Sequence, residues 1–255
     1  ILKLSGTTFT FVFSKKLLLK MIRFSFPLIF ASLAVWSSQY IDRIMINYFL
    51  GTDQLGIYSI GFRIASIIAL TTIGIQSAIT PLIYDNYEDD KSKKSLATIF
   101  RLYFLFAVFV CMILFLFIDN IMIIFATKEF FPAKDVIYFL APSIFFLNIF
   151  LFFPGIAIVK KTYLILLINI FGALINLILN FLLIEKYGIT GAAYATLISS
   201  ALAGLMYIFL SQKFYNVPHE WKKIIYIFSL FLALLLTSNY LKLNFDQNYL
   251  INIIT

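Results

Sequence analysis

Charged and amide side chains lie inside two of the most apolar runs of this sequence. The first run, residues 24–50, contains Asp42 together with polar residues that recur every four positions, Gln39, Arg43 and Asn47. Side chains four residues apart lie on the same face of a helix. The second run, residues 57–83, contains Arg63, and the short turn GTDQLG joins the two runs. The pattern predicts a helix hairpin with one polar surface.

The chemistry of this polar surface depends on where the hairpin lies. Each run is about 40 Å long as a helix, which exceeds the roughly 30 Å hydrocarbon core of a bilayer. A charge in that core costs about 2.5–3.5 kcal/mol on insertion scales, so charges there usually have a role. One hypothesis is a structural ion pair between Asp42 and Arg63, with Arg43 extending to the outer headgroups. The other is a cavity that receives an anionic substrate or a coupling proton.

A second polar stripe occupies a later apolar run. Its members share one helix face and are Asn169, Asn176 and Asn180. Asparagine in lipid needs hydrogen-bond partners, so the stripe predicts either contacts that hold helices together or the wall of a water-filled path. The next run repeats a small residue every four positions, which predicts close helix packing. These small residues are Gly191, Ala195, Ser199 and Ala203.

The composition predicts an all-α polytopic membrane protein. Of the 255 residues, 62% are hydrophobic and 13% are charged, and the mean hydropathy is +0.97. A water-soluble fold has too little interior for that much apolar surface. Cys111 and His219 are the single residues of their types and have no neighbouring ligands, so no metal or cofactor is expected. The sequence contains neither a phosphate-binding loop nor a nucleophile beside a base, so no motif in it indicates an enzyme.

Apolar periodicity predicts seven membrane spans. After the hairpin they are residues 97–118, 136–159, 163–184, 189–210 and 223–241. Pro142 and Pro154 lie in the fourth span, where neighbouring helices can satisfy the freed carbonyls and a kink is tolerated. The predicted organisation is an amphipathic lead-in, a six-helix lobe, and a further span followed by the start of a truncated one. These three parts are residues 1–23, 24–210 and 211–255.

The lead-in is basic on one face and apolar on the other. Lys16, Lys20 and Arg23 fall at helical spacing, and Ser14 is placed to cap the helix. The pattern predicts either a short helix in the lipid headgroups or an extension of the first span. The chain begins at Ile1 without the features of a signal peptide, so we expect it to continue an upstream sequence.

Basic residues concentrate in alternate loops. With the N-terminus in the cytoplasm, the loop at 85–95 and the segments near Lys160 and Lys222 also lie inside, whereas the turn at 51–56 lies outside. This bias explains the net charge of +8 without a nucleic-acid partner.

Two segments resemble a known family. They are FSFPLIFASLAVWSSQYIDRIMINYFLGTDQLGIYSIGFRIASI at 24–67 and NIFGALINLILNFLLIEKYGITGAAYATLISS at 169–200. Both are similar to the polysaccharide-transporter branch of the multidrug/oligosaccharidyl-lipid/polysaccharide exporter superfamily, which holds the O-antigen flippases. The details that match are the proline opening the first span, Asp42 followed by Arg43, the turn at Gly56 and Tyr58, the spaced asparagines and the run at 187–193.

The resemblance implies a transporter of two six-helix lobes around a central cavity. This chain would supply the C-terminal lobe and extra spans, and the missing N-terminal lobe would be its partner. The substrate would be an undecaprenyl-diphosphate-linked oligosaccharide, which crosses from the cytoplasmic to the outer leaflet of the bacterial cytoplasmic membrane for surface polysaccharide biosynthesis.

The resemblance also implies candidates for residues that line the cavity and bind substrate. They are Gln39, Asp42, Arg43, Asn47, Arg63, Asn169, Asn176 and Asn180. An arginine guanidinium pairs with a phosphate through two parallel hydrogen bonds, which suits a diphosphate. Drug or cation efflux by another branch of the superfamily is an alternative function. A membrane scaffold without transport is another, and it requires the intramembrane charges to be structural only.

Overall fold

The structure is a computed structural model that describes residues 3–4, 7–8, 13–70, 72, 75–76, 79 and 89–244. Its helices are α1 (Lys15–Leu50), α2 (Thr52–Ala65), α3 (Asp90–Leu116), α4 (Ile118–Phe125), α5 (Ala133–Asn148), α6 (Gly155–Ile158), α7 (Thr162–Tyr187), α8 (Ile189–Phe214) and α9 (Trp221–Asn244). Two 3₁₀ turns, Lys128–Phe130 and Ile149–Phe152, precede and follow α5. The two-residue strands β1 (Lys3–Leu4) and β2 (Thr7–Thr8) pair antiparallel near the N-terminus.

Five helical segments among the described residues are long and apolar enough to cross a membrane. They are Lys15–Leu50, Asp90–Leu116, Ala133–Ile158, Thr162–Tyr187 and Ile189–Phe214. This confirms the predicted all-α polytopic membrane protein. The predicted last span is helical as part of α9. The predicted second span falls partly outside the described residues, as do residues 84–88 of the 84–95 loop and the tail from residue 245 onward.

The first span is longer than predicted, and the turn after it is shorter. Ser14 caps α1 as expected, its hydroxyl accepting a hydrogen bond from the Leu17 amide at 3.4 Å. From Lys15 the helix continues past Pro27 without interruption, so the lead-in is an extension of the first span. The turn is Gly51 alone, whose φ of +85° suits glycine. The predicted GTDQLG turn is otherwise helical, and Asp53 lies in the first turn of α2, where the helix dipole favours a negative charge.

The helices pack in a chain of neighbours that places the polar residues together. Helix α1 packs on α7, α7 on α8, α8 on α5, and α5 on α2, whereas α9 packs on α3. The small-residue face of α8 permits the close approach of α7, since a Cβ on Gly172 would lie 3.2 Å from the Cβ of Ala203. Two separate hydrophobic clusters result, one around Ile46 and Ile137 and the other around Phe100 and Phe152.

The fourth span is broken at Pro154, whereas Pro142 lies inside a continuous α5. A neighbouring helix replaces the hydrogen bonds lost at the break. The Ser211 hydroxyl of α8 donates to the Phe153 carbonyl at 2.5 Å and accepts from the Gly155 amide at 2.7 Å. A Cβ on Gly155 would overlap the backbone of Ser211, so the two segments are in direct contact. A neighbouring helix thus satisfies the backbone groups freed near Pro154, as predicted, and Ser211 is the residue that does so.

Ser211→Ala is therefore expected to lower the stability of the protein by about 1–3 kcal/mol, because it leaves a buried carbonyl and a buried amide without partners. The measurement is the thermal unfolding midpoint in detergent. Ser229→Ala is the matched control, since the Ser229 hydroxyl is exposed and bonds only to the Tyr226 carbonyl of its own helix. Equal midpoints for the two variants would contradict the bridging role of Ser211.

Segments that were predicted on one side of the membrane meet in the structure. At one end, the Lys93 ammonium lies 5.7 Å from the Tyr215 ring centre and the Lys161 ammonium 4.3 Å from that of Phe214. At the other end, Lys134 pairs with Asp119 at 3.3 Å. Which end faces the cytoplasm stays a prediction.

Cysteine labelling in intact cells tests that prediction. In a background with Cys111 replaced by serine, we expect an impermeant thiol reagent to label Thr52→Cys, and to label Ser95→Cys only after permeabilisation. Both positions are exposed, and they lie in the external turn and the cytoplasmic segment of the predicted topology. Labelling of Ser95→Cys but not Thr52→Cys in intact cells is the result that would reverse the orientation.

Candidate functional site

The polar site is built around the buried carboxyl group of Asp42 in α1, which is 2% exposed. Its Oδ2 accepts hydrogen bonds from the Tyr58 hydroxyl at 3.1 Å and the Thr196 hydroxyl at 2.7 Å. Its Oδ1 accepts from the Asn180 amide at 2.5 Å. The three donors belong to α2, α8 and α7, so this one side chain links four helices.

The asparagine pair of α7 extends the network. Asn176 and Asn180 lie one turn apart and are fully buried, and the Asn180 Nδ2 also donates to the Asn176 Oδ1 at 3.2 Å. Two polar atoms of the pair have no hydrogen-bond partner in the described part of the chain, the Nδ2 of Asn176 and the Oδ1 of Asn180. A buried network normally satisfies every polar atom. The site can therefore donate one more hydrogen bond, from the Asn176 Nδ2, and accept one more, at the Asn180 Oδ1.

Thr196 has a second acceptor within reach. Its hydroxyl lies 2.7 Å from the Asp42 Oδ2 and 3.0 Å from the Ala192 carbonyl of its own helix. A hydroxyl carries a single hydrogen, so it donates to one of these two oxygens at a time.

Asp42 has no basic partner among the described residues, since no salt bridge there involves it. A buried carboxylate without a counter-ion is costly, and hydrogen bonds from neutral groups compensate only part of that cost. The arrangement therefore suits a group that gains from binding a proton or a cation.

A small cleft with a volume of about 40 Å³ adjoins the network. Helix α1 contributes Ser38, Gln39 and Asp42 to its wall, α7 contributes Asn169, and α8 contributes Thr196. The ring of Phe62 from α2 also lines the cleft. The cleft therefore lies between membrane-spanning helices and combines a mainly apolar wall with a few polar groups, as ligand sites commonly do.

The structure brings five of the eight predicted site residues to the cleft or the network. They are Gln39, Asp42, Asn169, Asn176 and Asn180. Arg43 is half-buried beside the cleft, with its guanidinium 5.6 Å from the Tyr40 ring centre and 5.2 Å from the Phe62 ring centre. Asn47 and Arg63 are exposed and do not line the cleft.

The predicted ion pair between Asp42 and Arg63 is not formed in the structure. The residue of α2 that meets Asp42 is Tyr58. Arg63 follows Tyr58 by five positions, which rotates it by about 140° around the helix. It therefore faces away from α1. The single-residue turn at Gly51 adds to the discrepancy, because α2 begins earlier than predicted and Arg63 lies deeper along it.

Tyr58 and Thr196 are functional candidates that the sequence did not indicate. Tyr58 belongs to the segment that resembles the family, where the pattern predicts a turn at Gly56 and Tyr58. Thr196 lies within the small-residue run of α8. A hydroxyl on a packing face has no periodic signal of its own, so only the fold identifies its acceptor.

The comparisons with known proteins identify the family. No curated protein and no solved structure matches the chain significantly. The family model MatE matches residues 27–182, a range that includes Asp42, Tyr58 and the asparagine pair of α7. This match covers more than half of the 255 residues, so the chain belongs to the MatE family of membrane transporters.

Proposed function

We propose that this transporter moves a lipid-linked oligosaccharide diphosphate, such as an undecaprenyl-diphosphate-linked one, across the bacterial cytoplasmic membrane for surface polysaccharide biosynthesis. The observation that carries the proposal is the polar cleft between membrane-spanning helices, with Asp42 in its wall and Arg43 at its edge. The resemblance of residues 24–67 and 169–200 to the polysaccharide-transporter branch supports the choice of substrate.

Arg43 is the group that favours an anionic substrate. Its guanidinium lies against Phe62, which lines the cleft, and none of the described salt bridges involves it. A guanidinium stacked on aromatic rings keeps its hydrogen-bond donors free for a phosphate. A diphosphate entering the cleft would meet this positive charge first.

Asp42 supports a second candidate function, the efflux of a cationic drug. A buried carboxyl group beside a mostly apolar cleft is the combination that would bind an amphipathic cation. The two candidates assign opposite charges to the substrate, so they predict opposite dependence on Arg43 and can be separated by experiment.

The proposal includes a partner that supplies the other wall of the cleft. Gln39 and Asn47 are exposed on the face of α1 that also carries Arg43, and exposed amide groups on a membrane-spanning helix are unfavourable where they meet lipid chains. A transporter of two like-oriented lobes covers such a face and provides alternating access when one lobe moves against the other. We assign this role to an N-terminal lobe of the same protein, which makes this chain the C-terminal lobe.

The test is complementation of a flippase-deficient bacterial strain. We expect surface polysaccharide to return when the chain is expressed with a matching N-terminal lobe, and not when it is expressed alone. Export of a cationic dye is measured in the same cells. Dye export without polysaccharide would favour drug efflux. Polysaccharide restored by the chain alone would show that two copies suffice and that the half-transporter proposal is wrong.

A further inference from the structure

The segment that joins α8 to α9 has a defined structure. The side chain of Gln212 holds it by two hydrogen bonds to Val217, accepting from the backbone amide at 2.9 Å and donating to the carbonyl at 3.2 Å. The His219 amide then donates to the Val217 carbonyl at 2.8 Å. These bonds fix the position of His219 immediately before the first turn of α9.

His219 is a buried polar side chain without a partner. It is 8% exposed, and its ring lies 4.9 Å from that of Phe100, 4.6 Å from that of Phe153 and 5.5 Å from that of Trp221. Neither ring nitrogen has a hydrogen-bond partner within the described part of the chain. Burial lowers the pKa of His219 to about 4, so the ring is neutral at pH 7 and presents one donor and one acceptor.

His219 lines an open recess with the first turn of α9. The other lining residues are Glu220, Trp221, Lys222 and Lys223. Glu220 is the acid of the recess, and it pairs with Arg101 of α3 and, at 2.8 Å, with Lys223. With that acid neutralised, Lys222 leaves the recess positively charged, and the amino end of the α9 dipole adds to the positive potential.

We propose that this recess binds the phosphate group of an anionic phospholipid, with His219 donating a hydrogen bond and Lys222 and Lys223 supplying charge. The helix end and the buried, unpaired imidazole are independent observations that indicate the same ligand chemistry. A phosphate oxygen would provide the acceptor that the histidine lacks.

The surface of α9 beyond the recess indicates a lipid instead of a soluble phosphate compound. Trp221 is 42% exposed, and the next turn presents Ile225 and Tyr226, which are 66% and 68% exposed. Tryptophan and tyrosine concentrate at the level of the headgroups, and the apolar side chains below them suit acyl chains. A phospholipid would therefore fill the recess with its phosphate and cover this face of α9 with its chains.

Tryptophan fluorescence gives a direct test, because the chain has two tryptophans and one of them lines the recess. Trp36→Phe leaves Trp221 as the reporter. The chain is reconstituted in phosphatidylcholine vesicles, and quenching by brominated phosphatidylglycerol is compared with quenching by brominated phosphatidylcholine. We expect a preference of about fivefold for the anionic lipid, the size typical of one well-placed cation.

The variants distinguish lipid binding in this recess from a general effect of surface charge. His219→Phe keeps the aromatic packing and removes both nitrogens, and the double change Lys222→Gln with Lys223→Gln removes two exposed charges. Both are expected to lower the preference to less than about twofold. Lys213→Gln is the matched control, because it removes an exposed charge from the last turn of α8.

Circular dichroism first confirms that each variant is folded. A preference that survives both recess variants, or that Lys213→Gln lowers equally, would overturn the proposal. If inorganic phosphate changes the Trp221 fluorescence more than chloride does at equal ionic strength, while brominated phosphatidylglycerol shows no preference, the recess binds a soluble phosphate compound and the assignment to a lipid is wrong. If inorganic phosphate has no effect and His219→Phe does, the lipid site is supported.

Discussion

Asp42→Asn is expected to reduce transport at least about tenfold, a barrier increase of about 1.4 kcal/mol or more, while the protein remains folded. The carboxyl group is buried without a counter-ion, so the charge on this side chain depends on what it binds. Asparagine has the same shape but cannot gain or lose a proton and binds cations weakly. The substitution therefore isolates the contribution of charge.

The fold should survive because the asparagine can satisfy the same partners. Its Oδ1 can accept from the Asn180 amide, as Asp42 does at 2.5 Å. Its Nδ2 would face the hydroxyl groups of Tyr58 and Thr196, whose oxygens can accept a hydrogen bond. We expect the unfolding midpoint to change by only a few degrees, corresponding to about 1 kcal/mol.

Transport per folded molecule is the quantity to compare, through restoration of surface polysaccharide or export of a cationic dye. Asp53→Asn is the matched control, since Asp53 is exposed in the first turn of α2. Normal transport by a folded Asp42→Asn protein would reduce the network to a structural role.

Arg43→Ala is expected to lower transport of a lipid-linked diphosphate at least about tenfold, because a charge-assisted hydrogen bond contributes about 1.5–3 kcal/mol. Arg43→Lys keeps the charge but loses the paired geometry and the stacking on Tyr40 and Phe62, so an intermediate rate is expected. The measurement is again surface polysaccharide per folded molecule.

Arg63→Ala provides the control for this series. The same atoms are removed from an exposed arginine that does not line the cleft, and transport should stay close to that of the unmodified protein. If Arg43→Ala transports polysaccharide normally, the anionic-substrate role of Arg43 fails. Faster export of a cationic dye by Arg43→Ala would instead favour the efflux function.

The helices were predictable because each long apolar run has only one way to cross a membrane. The predicted spans 163–184 and 189–210 agree with the bounds of α7 and α8 to within a few residues. The interruptions were harder to predict, since they depend on tertiary contacts. Pro154 indicated a break, but the position of the break follows from Ser211 on another helix. The length of the turn at Gly51 depended on whether residues 52–56 joined α2, which composition does not decide.

The site was predictable where polar residues repeat on one helix. Asn176 and Asn180 were found from their spacing, and both contact the network. The partner of Asp42 was not predictable. Opposite charge and similar depth suggest Arg63, whereas the rotation of α2 about its axis brings Tyr58 to the Asp42 carboxyl group. Contacts between helices far apart in sequence, such as that of Asp42 with Thr196, depend on rotation angles that a single sequence does not contain.

The two acceptors of Thr196 have a consequence for how Asp42 can change its charge. When the carboxyl group is ionised, the hydroxyl donates to it across 2.7 Å. When the carboxyl group carries a proton, it can donate that proton to the same hydroxyl oxygen, whose own hydrogen then turns to the Ala192 carbonyl at 3.0 Å. Both states keep every partner with the heavy atoms in place. Neutralisation can thus occur inside a rigid four-helix junction, and the only immediate change is the electric field in the cleft.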